Sequence, residues 1–274
     1  MHIDLGLKAS VAPEQLNNRL LYKPDVFEFF TSEEDFTADG LKRLAAAIEK
    51  VKATATDKIV LHHPMRYQNE FTEIIAPQST FPELYYFIDK STNDLLQLAF
   101  DYDVQVLVHG SYSRHTNNFI ALYPNLNSAQ QAAFSRLDKF TALGQEHIMF
   151  ENSISPIFYY GEKQEDRSIL ARNYRLAFDT SHCFIKQNGS NKDLLASLKR
   201  LRSQIVHYHL VDSMGKKHDS LPLGKGNIDW KNVLPLLNPN ATSIYEIVLK
   251  DQTDATEQLQ SHEYLLNLAN KLHL

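Results

Sequence analysis

The chain has 274 residues, 43% hydrophobic and 22% charged, with a formal net charge of −5. This profile suits one large globular α/β domain with its own core, includes no apolar run near the ~20 residues of a membrane span, and gives no overall basic footprint for nucleic acid. Cys183 is the sole cysteine, so no intrachain disulfide forms, and the N-terminus shows no signal peptide; a reducing cytoplasm is the expected location.

Short β-branched and aromatic runs alternate with helix-like segments. A first strand is expected at 2–8 (HIDLGLK), then a helix at 12–21 and a strand at 25–30 (DVFEFF). Residues 38–54 read as a helix with Leu41, Leu44, Ile48 and Val51 on one face. A strand at 58–63 (KIVLHH) precedes a helix at 82–102, with Ser91 as a candidate break. Next come a strand at 104–109 (VQVLVH) and a helix at 128–143, with Ser128 as N-cap and Gly144 as C-cap. The second half continues with strands at 146–151, 175–179, 205–211 and 243–249, each followed by a helix, at 165–173, 193–204, 229–237 and 253–272. Eight strand–helix units with no dividing linker predict a (β/α)8 TIM barrel occupying residues 1–274 as a single domain. Long loops follow the strands, at 64–81, 110–127, 152–164, 183–192 and 212–228, on the face where such barrels build their sites.

Polar residues close many of these strands: His62 and His63 on the third, His109 on the fourth and Glu151 on the fifth. Asp179, with His182 just beyond, closes the sixth; His207 and His209, with Asp212 beyond, lie on the seventh, and Glu246 lies on the eighth. A carboxylate is costly to bury without a partner, and glutamate closing a core strand is rarely a packing choice. Imidazoles and carboxylates converging on one mouth make a divalent-cation site, suited to Zn2+, Mn2+, Fe2+ or Co2+. His63 and His207 are read as pointing away from the barrel axis. His2, His115, His147, His262 and His273 are read as structural.

At this point the chain resembles the xylose isomerase-like TIM barrels, which include sugar isomerases and epimerases and the endonuclease IV type of DNA-repair enzyme. The motifs are IMFEN with Glu151, FDTSHCF with Asp179 and His182, HYHLVDS with His209 and Asp212, the loop LPLGKGNIDW, and YEIVL with Glu246. The epimerase branch implies one divalent metal, Mn2+ or Zn2+ foremost, held by Glu151, Asp179, His209 and Glu246. There the ion chelates a ketose and stabilises an enediolate, while Glu151 and Glu246 exchange protons on opposite faces of the sugar. His182 would bind a substrate oxygen, with Lys217 and His218 as further substrate-binding candidates on the next loop.

The endonuclease branch adds LHHP with His62 and LVHGS with His109; with a bridging Glu151 these would hold a second metal for phosphodiester hydrolysis. Its third metal is in doubt: the chain reads HDSLPLG, with His218 and Ser220 where an aspartate and a histidine belong, unless His218 and Asp219 substitute with shifted register. Arg66 and Tyr67 in PMRYQNEF are the nearest thing to a nucleic-acid wedge. A barrel that binds a ligand without catalysis is a third reading. The leading expectation is a metal-dependent isomerase or epimerase of a small sugar or sugar phosphate, with nucleic acid as the second choice, no membrane partner, and a homo-oligomer as one assembly open to it.

Overall fold

Successive side chains of a strand face opposite ways, and in this chain the alternation separates two kinds of surface. The computed structural model describes residues 3–274; His2 and the start of the expected first strand lie outside the described residues. Eight parallel strands form one sheet: β1 (Gly6–Ala9), β2 (Val26–Phe30), β3 (Ile59–His62), β4 (Gln105–His109), β5 (Ile148–Glu151), β6 (Leu176–Asp179), β7 (Ile205–His209) and β8 (Thr242–Ile244). They neighbour one another in sequence order, with helices between them: the expected TIM barrel.

Phe27, Phe29, Leu61, Val106, Val108, Phe150, Phe178 and Tyr208 belong to the large core between sheet and helices. Val60, Leu107, Met149 and Ala177 form a separate small cluster inside the barrel. Two residues further along the same strands stand His62, His109, Glu151 and Asp179. The pleat therefore stacks a polar ring directly on an apolar plug. Register sets His109 beside Glu151 and Asp179 beside His209, while His62 pairs with Leu107 and Glu151 with Ala177, so the ring steps by two residues at two junctions, as the stagger of a closed barrel requires.

β1 and β8 meet at Gly6. A Cβ there would sit 1.8 Å from the Ser243 carbonyl oxygen and 2.8 Å from the Ile244 Cα, so only glycine lets the two backbones approach. The eighth strand is shorter than the expected 243–249; it stops at Ile244 and leaves Glu246 on the loop beyond.

The helices are α1 (Pro13–Leu20), α2 (Ala38–Thr54), α3 (Pro82–Tyr102), α4 (Thr116–Ile120), α5 (Leu126–Gly144), α6 (Lys163–Leu170), α7 (Thr180–Lys186), α8 (Asn191–Leu201), α9 (Trp230–Val233) and α10 (Thr256–Leu272). α3 runs unbroken through Ser91, whose hydroxyl bonds back to Phe87 O. Ser128 is not the cap of α5: Asn125 caps it, accepting from Ser128 N at 2.9 Å, and Gly144 is its last residue rather than its cap. α4 and α7 occupy stretches expected to be loop. The segment after β3 folds as a hairpin, Arg66–Tyr67 against Glu70–Phe71, turning at Gln68 and Asn69, both at positive φ. Tyr67 stacks on Phe87 at 4.1 Å and so lies against α3, while Arg66, 4.2 Å over the Phe71 ring of the same hairpin, stays exposed. No helix among the described residues is long and apolar enough to cross a membrane.

Glu73, fully buried, ties the loops over the mouth together. It accepts from Ser111 Oγ (2.9 Å), Tyr112 N (3.0 Å) and Thr116 Oγ1 (3.0 Å), joining the β3 and β4 loops; Ser111 Oγ also lies 2.8 Å from Ser155 Oγ on the β5 loop. Burial pushes its pKa up to about 7, against the pull of these donors.

Two outcomes follow for stability. Gly6→Ala should destabilise the fold by about 1–3 kcal/mol through overpacking at the β1–β8 seam, read from chemical denaturation; an unchanged midpoint would remove the seam from the account. Glu73 has a folded pKa above its unfolded value, so its protonated form favours the fold. Its contribution is complete below the unfolded pKa of about 4.3 and is lost as pH rises through about 7. Glu73→Gln should flatten the fall in melting temperature between pH 5 and 8, and an identical slope in both proteins would contradict this.

Candidate metal centre

Six strands and the loops beyond them bring the site together. Glu151, with no exposed surface, stands at the centre. Its Oε1 lies 3.2 Å from His209 Nδ1 and 3.5 Å from His182 Nδ1; its Oε2 lies 3.1 Å from His109 Nε2 and 3.5 Å from His62 Nε2. Glu246 Oε2 approaches the same His209 nitrogen at 2.6 Å, and this side chain, 31% exposed, is the open side of the cluster. Ligand atoms of Glu151, Asp179, His209 and Glu246 all lie within 4.8 Å of one another, as do those of His62, His109 and Glu151. The six residues expected as cation ligands therefore converge in two groups that share Glu151.

The spacing of Asp179 and His182 has a local cause. Asp179 ends β6 and caps α7: its Oδ1 accepts from His182 N at 2.6 Å and from Ser181 Oγ at 2.8 Å. Asn152 fastens this corner from the neighbouring strand end. Its side chain accepts from Asp179 N (2.8 Å) and donates to Asp179 O (3.1 Å). His182 Nδ1 lies 2.8 Å from the Asn152 carbonyl, which can only accept, so that nitrogen carries a proton and Nε2 faces outward. There it meets His218 Nε2 at 2.9 Å. Lys217, next to it, is exposed, and its carbonyl lies 3.5 Å from Ser213 Oγ.

Asp212 has a different task from its motif partner His209. Its carboxylate accepts from Ser213 N, Gly224 N and Ile228 N, and so pins the 212–228 loop. His63 turns outward as expected, with Nε2 2.7 Å from Ser91 Oγ on α3. His207 does not. It stands two residues before His209 and so shares its face; its Nε2 lies 3.1 Å from Glu28 Oε2 inside the barrel. His147, beside Val104 O, and His262, beside Tyr245 Oη, belong to the packing outside the barrel.

Glu28, Lys8, Tyr112 and Asn152 escaped the sequence reading. Glu28 is fully buried on β2 and its Oε2 lies 3.0 Å from His209 Nε2; its Oε1 pairs with Lys8 Nζ at 2.7 Å. Lys8 also pairs with Glu246 Oε1. Tyr112 stacks on the His109 ring, centroids 4.6 Å apart. One signal was available: in VFEFF a glutamate sits between outward-facing phenylalanines, so it must face the axis.

The donor set fits a cation. Glu28, Glu151, Asp179 and Glu246 share one ammonium, Lys8, so neutral imidazoles would leave three negative charges uncompensated in a buried space. Two such charges 4 Å apart repel by about 4 kcal/mol at an effective dielectric near 20. The charge acts on its neighbours: burial opposes protonation of His209, yet Glu151, Glu246 and Glu28 together hold its pKa well above the usual imidazole value. Burial raises Asp179, and it drives His109 down to about 3, leaving a neutral ring able to ligate. His62 Nε2 and Glu151 Oε2, which face each other at 3.5 Å, are buried without a hydrogen-bond partner, the condition of atoms arranged for an ion rather than for each other.

Residues 167–265 match the family described as xylose isomerase-like TIM barrel. No curated protein sequence matches the chain significantly. Among solved structures, a D-tagatose 3-epimerase-like protein superposes with a TM-score of 0.69 at 17% identity, covering 98% of this chain and 97% of that one. D-psicose 3-epimerase from Clostridium cellulolyticum, solved with D-tagatose, gives 0.69 at 13% identity, covering 96% and 98%. A Thermus thermophilus protein soaked with ZnCl2 gives 0.64 at 15% identity, covering 97% of each. At such identities the likeness is one of fold. The resemblance to the xylose isomerase-like TIM barrels is thus found in sequence across residues 167–265, and the barrel fold of these solved structures is shared across nearly the whole chain.

Proposed function

We propose that the protein is a divalent-metal-dependent epimerase or isomerase of a ketose or ketose phosphate. The observation that carries this reading is the Glu151–Asp179–His209–Glu246 cluster at the open end of the barrel. A cation held there would supply Lewis-acid polarisation of the sugar carbonyl and its neighbouring hydroxyl, which acidifies the adjacent C–H.

The chain's own groups divide the remaining work. Glu151, at the end of β5, and Glu246, on the loop after β8, are the pair to remove and return the proton. They are not equivalent. Both are held below the usual carboxylate range against the effect of burial, Glu246 by His209 and Lys8 and Glu151 by His109 and His209, but Glu246 Oε1 is occupied by Lys8 whereas Glu151 Oε2 has no hydrogen-bond partner. His182, fixed by Asn152, and His218 at the rim would bind sugar hydroxyls. Lys217 would touch only the outer end of a bound molecule. The buried apolar cluster of Val60, Leu107, Met149 and Ala177 forms part of the floor, beside Lys8, Glu28 and His207.

A specific observation favours a second reading. His62, His109 and Glu151 form a further three-ligand group in which His62 Nε2 has no hydrogen-bond partner, which suits a dinuclear phosphoesterase of the endonuclease IV type.

Metal analysis separates the two readings. The epimerase reading expects about one equivalent per chain, unchanged by His109→Ala; the phosphoesterase reading expects two or three, with one lost on that substitution. On ketose substrates, Glu151→Gln and Glu246→Gln should each lower kcat by roughly 100-fold or more while the fold persists. Full activity in both variants would refute the assignment of the proton-transfer pair.

A further inference from the structure

A metal-bound imidazole needs its second nitrogen held, or the ring rotates and presents either nitrogen to the ion. His209 has such a hold beneath the site, built from residues on three other strands. Glu28 Oε2 lies 3.0 Å from His209 Nε2 and 3.1 Å from His207 Nε2. The other Glu28 oxygen faces Lys8 Nζ at 2.7 Å, so this carboxylate is an acceptor throughout. Both histidines must then carry their proton on Nε2. For His207, Nδ1 is left to the Thr242 hydroxyl at 2.7 Å. For His209, Nδ1 is left facing Glu151 and Glu246.

We infer that Glu28 is the positioning residue of the metal centre: it holds His209 so that Nδ1, and not Nε2, is offered to the cation. Lys8 and His207 hold Glu28 in turn. This rests on the reading of Glu151, Asp179, His209 and Glu246 as cation ligands, and it gives a role to Glu28, Lys8 and His207, which stand outside that ligand set. The arrangement is a carboxylate–histidine–metal relay in which the carboxylate comes from β2, across the barrel from the ligand on β7. Lys8 links the relay to the open side, because its ammonium bridges Glu28 and Glu246 and leaves Glu246 Oε2 to point at the centre.

The test compares two double variants by competition for Zn2+ with a chromogenic chelator. In Glu28→Gln with Lys8→Met, the amide oxygen still accepts from both imidazoles, and no ammonium opposes the amide nitrogen. In Glu28→Leu with Lys8→Met, the acceptor is gone and an apolar pair fills the volume. Both lack Lys8, so the difference reports the acceptor alone. Zn2+ affinity should be roughly 10- to 100-fold weaker in the leucine variant than in the glutamine variant. Equal affinities in the two would overturn this inference alone, whereas no Zn2+ binding by the unsubstituted protein would overturn the cation reading as well. Should the leucine variant fail to fold, 15N NMR of the Zn2+-loaded unsubstituted protein decides: a protonated Nε2 and a metal-bound Nδ1 on His209 are expected, and coordination through Nε2 would refute the role.

Discussion

Negative charge removed from water governs this molecule. Four carboxylates face the axis of the barrel, and each would cost several kcal/mol to bury alone. The chain offers partial compensation from within: one ammonium at Lys8 and, in the absence of an ion, a proton on His209 that the surrounding carboxylates favour. A divalent ion would displace that proton and offset more of the carboxylate charge than the proton does. Other features serve the containment of that charge. The Asn152 side chain locks two strand ends, and the Glu73 carboxylate ties down the loops above.

Much of the fold could be read directly because parallel barrels impose a simple rhythm. Hydrophobic runs gave all eight strands to within a few residues, and the 3.6-residue periodicity of 38–54 matched α2 at both ends. The short helices α4 and α7 went unseen since neither is long enough to show a period; α7 exists because Asp179 caps it. The end of the eighth strand was misplaced for a different reason. YEIVL has strand composition, but β7, its ladder partner, pairs only as far as His209 with Ile244.

The site was legible where polar residues end strands and obscure where they interrupt them. Glu151, Asp179, His209 and Glu246 stand out against apolar neighbours. Lys8 and Glu28 also face the axis, yet they sit among strands read chiefly for their apolar content. His207 was turned the wrong way although the period of two puts it on the face of His209. Tyr112 and Glu73 lie on loops, where no periodicity constrains orientation and only the assembled mouth shows that one stacks on His109 and the other gathers three segments.

Asp179 satisfies two unrelated demands with one short side chain. Asparagine would still cap α7 but bring no charge to the mouth. Glutamate would bring the charge, but its longer reach would carry the oxygen past the amide of His182. The position therefore admits a single residue type, and no gradual route of replacement is open to it. A descendant that gave up the chemistry would be free to drift at Glu246, which only the mouth requires, long before it could drift at Asp179, which the folded corner also needs.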